Sequence, residues 1–284
     1  MPSITASDGT RLYYEESGQG APVVFVHEFA GDHRSFEPQV RFFSRSHRCI
    51  AFDARGYLPS DVPQSPESYG QDIARDDVVA VLDGLGLRDA HIVGHSMGAY
   101  TALHVAIHHP GRCLSVAAIG CGWGSNPDER EERAAMCADI ARMFRDEPMA
   151  EAAAKYARYP MRKAFEAKDP RGFAEFERQL ADHSATGLAL TMSQVQGLRP
   201  TLGDLEAPLS TLEIPLLVVV GDEDDPCLDG SVFLKRTAPM AALVVVPRSG
   251  HTLTLEEPAA VNAALAELFS AVADSAWMAH RRER

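Results

Sequence analysis

The pentapeptide Gly94-His95-Ser96-Met97-Gly98 lies between an apolar run, His91-Ile92-Val93, and an Ala-rich stretch with helical spacing. A strand, a tight turn and a helix around G-x-S-x-G are the context of a nucleophile elbow. Such a turn lifts the serine hydroxyl clear of the sheet, and the two glycines avoid collisions in the bend. A Gly-rich turn with an incidental serine would have the same pattern, so the rest of the chain must distinguish the two interpretations.

Two candidate partners for Ser96 follow late apolar runs. The acidic segment 222–225 comes directly after the run 216–220, and His251 comes shortly after the run 243–246. A serine hydroxyl is a weak nucleophile that needs a base, and the base needs an orienting acid. The carboxyl ends of parallel strands meet at one edge of a sheet, where ligands bind. The order serine, acid, histidine therefore predicts His251 as the base and one of the aspartates Asp222, Asp224 or Asp225 as the acid.

Apolar runs alternate with helical stretches through most of the chain, which predicts a mostly parallel sheet with helices on both faces. Asp8-Gly9 predicts a hairpin near the start. The part from about Pro127 to Gln196 differs, because apolar residues recur there at helical spacing and no strand run interrupts them. Its two predicted apolar faces are Met136, Ile140, Met143 and Phe144, and Phe173, Phe176 and Leu180. We predict an α/β core of residues 1–124 and 208–284, with a helical cap, residues 125–207, inserted between two late strands.

These motifs and their order closely resemble the α/β-hydrolase superfamily, in its capped, cofactor-free, carboxylesterase-like branch of serine hydrolases. The resemblance covers nearly the whole chain and includes the segments 27–31 and 53–56. It implies a catalytic triad of Ser96 as nucleophile, His251 as base and Asp224, at the G-x-x-D position, as acid. Some family members carry the acid after the strand that ends near Gly120. Residues 120–125 contain no carboxylate, so that variant is disfavoured.

The resemblance also implies an oxyanion hole made by the backbone amides of Phe29 and Met97. The sequence departs from the family pattern at Glu28, where a glycine is usual. A salt bridge or buried hydrogen bond near the loop is the favoured role for Glu28, since an unpaired buried carboxylate is costly. The alternative is that its carboxylate faces the pocket and selects substrates with a donor or a cation. Glu28 and Trp123 are accordingly the candidate substrate-pocket residues.

The predicted reaction is hydrolysis of small to medium carboxylic esters through an acyl-enzyme, with no metal or organic cofactor. Lactone hydrolysis, carbon–carbon bond hydrolysis and perhydrolase or haloperoxidase-like activity are alternatives at the same triad. The elbow serine argues against epoxide hydrolases and haloalkane dehalogenases, which resemble this architecture but use an aspartate there. A non-catalytic ligand-binding protein on the same fold is the alternative from another class.

Composition limits the partners and the compartment. The formal net charge of −13 disfavours nucleic-acid binding, so a small molecule is the expected partner, and assembly into a homo-oligomer stays open. The chain has five cysteines without a C-x-x-C pair, no visible signal peptide and no apolar run of membrane length. These features predict a cytoplasmic protein that does not bind membranes. His104, His108 and His109 could suggest a metal pair, but packing at a helix end is the favoured interpretation.

Overall fold

The computed structural model describes residues 1–277. Its described residues form an eight-stranded sheet in the order β1-β2-β4-β3-β5-β6-β7-β8, in which β3 to β8 run parallel and β1 and β2 antiparallel. The strands are β1 (Ser3–Thr5), β2 (Arg11–Ser17), β3 (Ala21–Val26), β4 (His47–Phe52), β5 (Ala90–His95), β6 (Cys113–Ile119), β7 (Leu216–Gly221) and β8 (Ala241–Val246). The predicted mostly parallel sheet and the hairpin at Asp8-Gly9 are confirmed.

Helices surround the sheet on both faces, as the alternating pattern predicted. They are α1 (Glu37–Phe43), α2 (Gln71–Gly84), α3 (Met97–His108), α4 (Arg130–Asp146), α5 (Met149–Ala157), α6 (Lys163–Lys168), α7 (Pro170–Ala181), α8 (Ala185–Leu190), α9 (Glu206–Ser210), α10 (Asp225–Thr237), α11 (Leu253–Glu256) and α12 (Pro258–Ala273). A π-helical turn, Thr191–Gln196, continues α8, and short 3₁₀ turns such as Pro160–Arg162 connect other elements. Among the helices of residues 1–277, none combines the length and apolar character that crossing a membrane requires.

The central strands are buried on both faces, which explains their continuous apolar sequence. Every residue of β5 and β7 is buried, and Val93 pairs with Phe25 on one side and Ala117 on the other. One apolar cluster packs α2 and α3 against the sheet, and a second packs α1 and α12 against the opposite face. Because β3, β5, β6, β7 and β8 are parallel, the loops that follow them emerge at one edge of the sheet.

Helices α4 to α8 lie between β6 and β7 in sequence and pack over that edge. The face of Phe173, Phe176 and Leu180 is buried as predicted. The predicted α4 face is partly wrong, because Ile140 and Phe144 are buried whereas Met136 is 43% exposed. Helical periodicity places Met136 on the inner side of α4, where it borders a cavity. The division of the chain at residues 124 and 208 stays a prediction, and α9 runs across its second boundary.

Candidate active site

Ser96 occupies a strained turn between β5 and α3. Its φ of 53° and ψ of −110° lie in a region that L-residues seldom adopt, and its amide donates to the carbonyl of Ile119 at 2.7 Å. A side chain at Gly94 would collide with the Gly98 carbonyl, and one at Gly98 would collide with the Val26 carbonyl. Both positions of the motif therefore require glycine, because backbone atoms lie where a side chain would be. The turn directs the serine hydroxyl away from the sheet.

The structure brings the side chains of Ser96, His251 and Asp224 into one hydrogen-bonded line, which we call the relay. The Ser96 Oγ to His251 Nε2 distance is 2.9 Å, and the His251 Nδ1 to Asp224 Oδ2 distance is 2.7 Å. Asp224 is an acceptor, so Nδ1 carries the imidazole proton and Nε2 is left to accept from the serine hydroxyl. Both His251 and Asp224 are buried, although the serine and the histidine border a cavity.

The two neighbouring aspartates do not reach the histidine. Asp222 accepts a hydrogen bond from the Ser249 amide at 3.2 Å and so holds the loop before His251. Asp225 begins α10, where a negative charge complements the helix dipole. Of the three candidate acids, the structure places only Asp224 against the imidazole among the described residues.

Burial and charge oppose each other at the imidazole. Burial alone would lower the pKa of His251, but the charge and hydrogen bond of Asp224, with a contribution from the Glu28 carboxylate, raise it above its ordinary value. Burial would likewise raise the pKa of Asp224, yet His251 holds it below its ordinary value. The acid is thus ionised at neutral pH, and the histidine is a stronger base than a free imidazole.

The backbone of His251 is fixed from two sides. Its amide donates to the Met161 carbonyl at 2.8 Å, and its carbonyl accepts from Nε2 of His95 at 2.7 Å. A side chain at Gly250 would collide with the same Met161 carbonyl, so glycine permits this approach of the cap. His27 holds a neighbouring loop in a similar way, because its Nε2 accepts from the Ala54 amide at 3.0 Å. His95 and His27 therefore hold loops through hydrogen bonds.

The loop after β3 and the first turn of α3 meet beside Ser96. Gly98 is in close contact with the Val26 carbonyl, which brings the two segments together. The Tyr57 hydroxyl donates to the Phe29 carbonyl at 2.8 Å, and the Phe29 ring packs against Phe144. In the described loops and helix ends, the Phe29 and Met97 amides donate to no carbonyl or side chain. Both amides are therefore available to an oxygen atom placed beside Ser96.

Glu28 forms a buried ion pair with Arg162, a residue of the Pro160–Arg162 turn in the cap. Both side chains are 1% exposed, and Nη2 of Arg162 donates to Oε2 of Glu28. Glu28 is absent from the lining of the cavity beside Ser96, and the favoured salt-bridge interpretation describes its contacts, while its assignment as a substrate-pocket residue stays a prediction. Arg162 is a buried cation that needs a counter-charge, and no motif in the sequence indicated it.

The Glu28–Arg162 pair is incompletely hydrogen-bonded. Within residues 1–277, Oε1 of Glu28 and both Nε and Nη1 of Arg162 have no hydrogen-bond partner. The guanidinium also lies 5.1 Å from the Tyr156 ring centroid and 5.4 Å from that of Phe176. Burial would raise the pKa of Glu28, but Arg162 and the nearby histidines hold it below its ordinary value. Both groups of the pair are therefore charged.

Cys227 is a neighbour of the relay that no sequence motif indicates. Its thiol donates to the Gly120 carbonyl at 3.3 Å, and its sulfur lies 3.8 Å from Nδ1 of His251. Burial and then the charge of Asp224 raise the pKa of this thiol well above its ordinary value, so it is protonated. Its position three residues after Asp224, in the first turn of α10, was the signal in the sequence.

A cavity of about 550 Å³ opens beside the relay, between the sheet edge and the cap. Trp123 lies on its wall, and its role as a substrate-pocket residue stays a prediction. The cavity is lined by aromatic, apolar and a few polar side chains: Ser96, Trp123, Met136, Ile140, Tyr156, Tyr159, Pro160, Met161, Gln196, Glu223, Asp225, Pro226, Cys227 and His251. Its size and mostly apolar wall suit a small organic molecule.

An eight-stranded, mostly parallel sheet with a serine on a strained strand-to-helix turn defines the α/β-hydrolase class of proteins. The chain belongs to the alpha/beta hydrolase fold family, whose family model matches residues 21–258.

Three similar proteins span almost the full chain. An AB hydrolase superfamily protein of Bacillus subtilis, YisY, is 27% identical over 93% of this chain and 97% of its own. The 3-oxoadipate enol-lactonase 1 of Acinetobacter baylyi is 26% identical over 90% of this chain and 91% of its own. The solved structure of an esterase from Exiguobacterium antarcticum superposes with a TM-score of 0.81 at 25% identity and covers 94% of this chain and 98% of the esterase.

Proposed function

We propose that this protein is a serine hydrolase that cleaves small to medium carboxylic esters through an acyl-enzyme intermediate. The observation that carries the proposal is the relay, in which Ser96 Oγ lies 2.9 Å from Nε2 of His251 and Asp224 lies 2.7 Å from Nδ1. The roles are nucleophile for Ser96, general base and acid for His251, and orienting acid for Asp224. The relay supplies this chemistry without a metal or an organic cofactor.

In the first half-reaction Ser96 is acylated. As its oxygen bonds to the ester carbonyl carbon, the hydroxyl proton passes to Nε2 of His251. The carbonyl oxygen becomes an oxyanion, which the amides of Phe29 and Met97 stabilise. The carbon–oxygen bond to the alcohol then breaks, and the imidazolium returns its proton to the leaving alkoxide, so that a neutral alcohol departs.

In the second half-reaction water releases the acid. Nε2 of His251 takes a proton from a water molecule as the water oxygen attacks the acyl carbon, and the same two amides stabilise the second oxyanion. The bond to Ser96 breaks and the serine oxygen recovers its proton from His251. Asp224 stays ionised throughout and stabilises the imidazolium that forms in each half.

Lactones are the second candidate class of substrate. A lactone is an intramolecular ester, so the same relay would open it, with the alcohol remaining on the product. The full-length similarity to a protein named 3-oxoadipate enol-lactonase favours this class, and the cavity is large enough for either type of molecule.

We also propose a cytoplasmic location, which the five unpaired, buried cysteines support.

Labelling with a fluorophosphonate probe, followed by a substrate screen, tests the proposal. We expect one phosphonylated residue per chain, Ser96, and no labelling of Ser96→Ala. The screen pairs p-nitrophenyl esters of increasing acyl length with five- and six-membered lactones, on wild type and Ser96→Ala. Folded wild-type protein that takes no label, or hydrolysis that survives Ser96→Ala, would contradict the proposal and favour a ligand-binding role.

A further inference from the structure

A group of metal-ligand side chains lies at the far end of α3 from Ser96. His104 and His108 are one helical turn apart on α3, and Asp72 lies in the first turn of α2, which packs beside it. One ligand atom from each of the three residues falls within 4.8 Å of the other two. Histidines at positions i and i+4 present their imidazoles on the same helix face, which allows two nitrogens to bind one ion.

His104 is the unusual member of this group. It is 3% exposed, yet in residues 1–277 neither Nδ1 nor Nε2 has a hydrogen-bond partner. Buried polar atoms are nearly always satisfied, and leaving one unsatisfied costs about 1–3 kcal/mol. Packing at a helix end, the interpretation favoured from the sequence, does not explain an imidazole with two unused nitrogens.

We propose that Asp72, His104 and His108 form a binding site for a divalent transition-metal ion of the zinc type. The donor set of two imidazoles and one carboxylate is one that Zn²⁺ accepts, with water as a fourth ligand. Ligand atoms around tetrahedral zinc are about 3.3 Å apart, and the three atoms here lie within 4.8 Å of one another. Asp72 and His108 are both exposed and can rotate toward the buried imidazole.

One cation competes with a metal ion for the carboxylate of the group. Arg75 is the competing cation, since its Nη1 donates to Asp72 Oδ1 at 2.8 Å. Arg75 also binds Asp76 at 2.8 Å and therefore keeps an acidic partner if Asp72 turns to the metal.

The ion would be structural. His104 and His108 follow Ser96 by 8 and 12 positions, roughly 12 and 18 Å along the helix axis, so it would lie outside the reaction. It would join the start of α2 to the end of α3 and stabilise the folded chain by mass action. This inference is independent of the proposed ester hydrolysis.

Cobalt absorption spectroscopy tests the site directly. Protein freed of metal with a chelator is titrated with Co²⁺, and the d–d bands are followed until Zn²⁺ displaces them. We expect one ion per chain, and we expect Zn²⁺ to raise the melting temperature. Because Asp72 and His108 are exposed, Asp72→Asn and His108→Ala should fold normally and should each weaken binding at least about tenfold, which corresponds to one lost ligand.

The matched control is His109→Ala, the adjacent histidine. Its Nε2 is directed toward Asp76 at 3.9 Å and lies outside the group, so this variant should bind Co²⁺ as wild type does. Absence of d–d bands, or equal weakening by His108→Ala and His109→Ala, would overturn the proposal. A sulfur-to-metal charge-transfer band that disappears in Cys227→Ala would also overturn it, since the ion would then sit at Asp224, Cys227 and His251.

Discussion

The relay and the Glu28–Arg162 pair are two buried charge clusters that lie close together, and they are built differently. In the relay the buried carboxylate binds an imidazole whose second nitrogen reaches a hydroxyl at the cavity. In the ion pair both charges are 1% exposed and neither side chain borders that cavity. A charge cluster can move a proton to a ligand only if one end is open to it, so the relay is suited to chemistry and the ion pair to holding the cap on the core.

The largest effect that distinguishes the two clusters is on turnover. Ser96→Ala or His251→Ala should lower kcat by about 10⁴-fold or more, because each removes a group that acts only in the proposed reaction. The double variant should be no worse than either single one, since the residues act as a unit. Steady-state hydrolysis of a p-nitrophenyl ester measures this, with Ser270→Ala, an exposed position on α12, as the control. Additive losses would argue against a shared relay.

The ion pair should govern stability. Glu28→Gln leaves Arg162 as a buried, unpaired cation and should lower the free energy of unfolding by about 3–5 kcal/mol. Glu28→Gln combined with Arg162→Met removes both charges and should recover much of that loss. Urea unfolding of the two single variants and the double variant forms a cycle that isolates the coupling. A double variant as unstable as the sum of the single ones would show that the charges do not interact.

The pH profile of kcat/KM should report the pKa of His251 in the relay, and the two charges of the ion pair should shift that pKa in opposite directions. His251 must be neutral to act as a base, and its pKa is raised, so kcat/KM should fall on acidification with a midpoint above pH 6.5. Glu28 raises the pKa of His251 and Arg162 lowers it. Glu28→Gln should therefore move the midpoint to lower pH, and Arg162→Met should move it to higher pH. Shifts in the same direction would mean that the variants act through distortion of the cap.

The smallest effect should come from Cys227. Cys227→Ser keeps a donor for the Gly120 carbonyl, whereas Cys227→Ala removes it and leaves a gap beside the imidazole. We expect a loss of kcat of a few-fold, under about tenfold, for Cys227→Ala and less for Cys227→Ser, because the thiol supports the relay without taking part in proton transfer. If the alanine variant were as active as wild type, the role of the Cys227 side chain would be limited to packing.

The sequence predicted the elements whose signal is local. Continuous apolar runs marked the central strands, because strands that are covered on both faces bury neighbouring residues. The candidate site followed from the shared edge of parallel strands, which brought Ser96, Asp224 and His251 together from three distant segments. Arg162 and Cys227 were missed because their positions depend on how the cap docks and how α10 starts. Met136 was misplaced because periodicity specifies a helix face but not whether another element covers it.

The hydrogen bond between the His251 amide and the Met161 carbonyl has a consequence for access to the cavity. The Pro160–Arg162 turn and the loop that carries the imidazole share this bond, so lifting the turn would also release the backbone of the base. Met161 and the exposed side chain of Met136 both line the cavity. Movement of the cap at this turn and the position of the base would therefore be coupled.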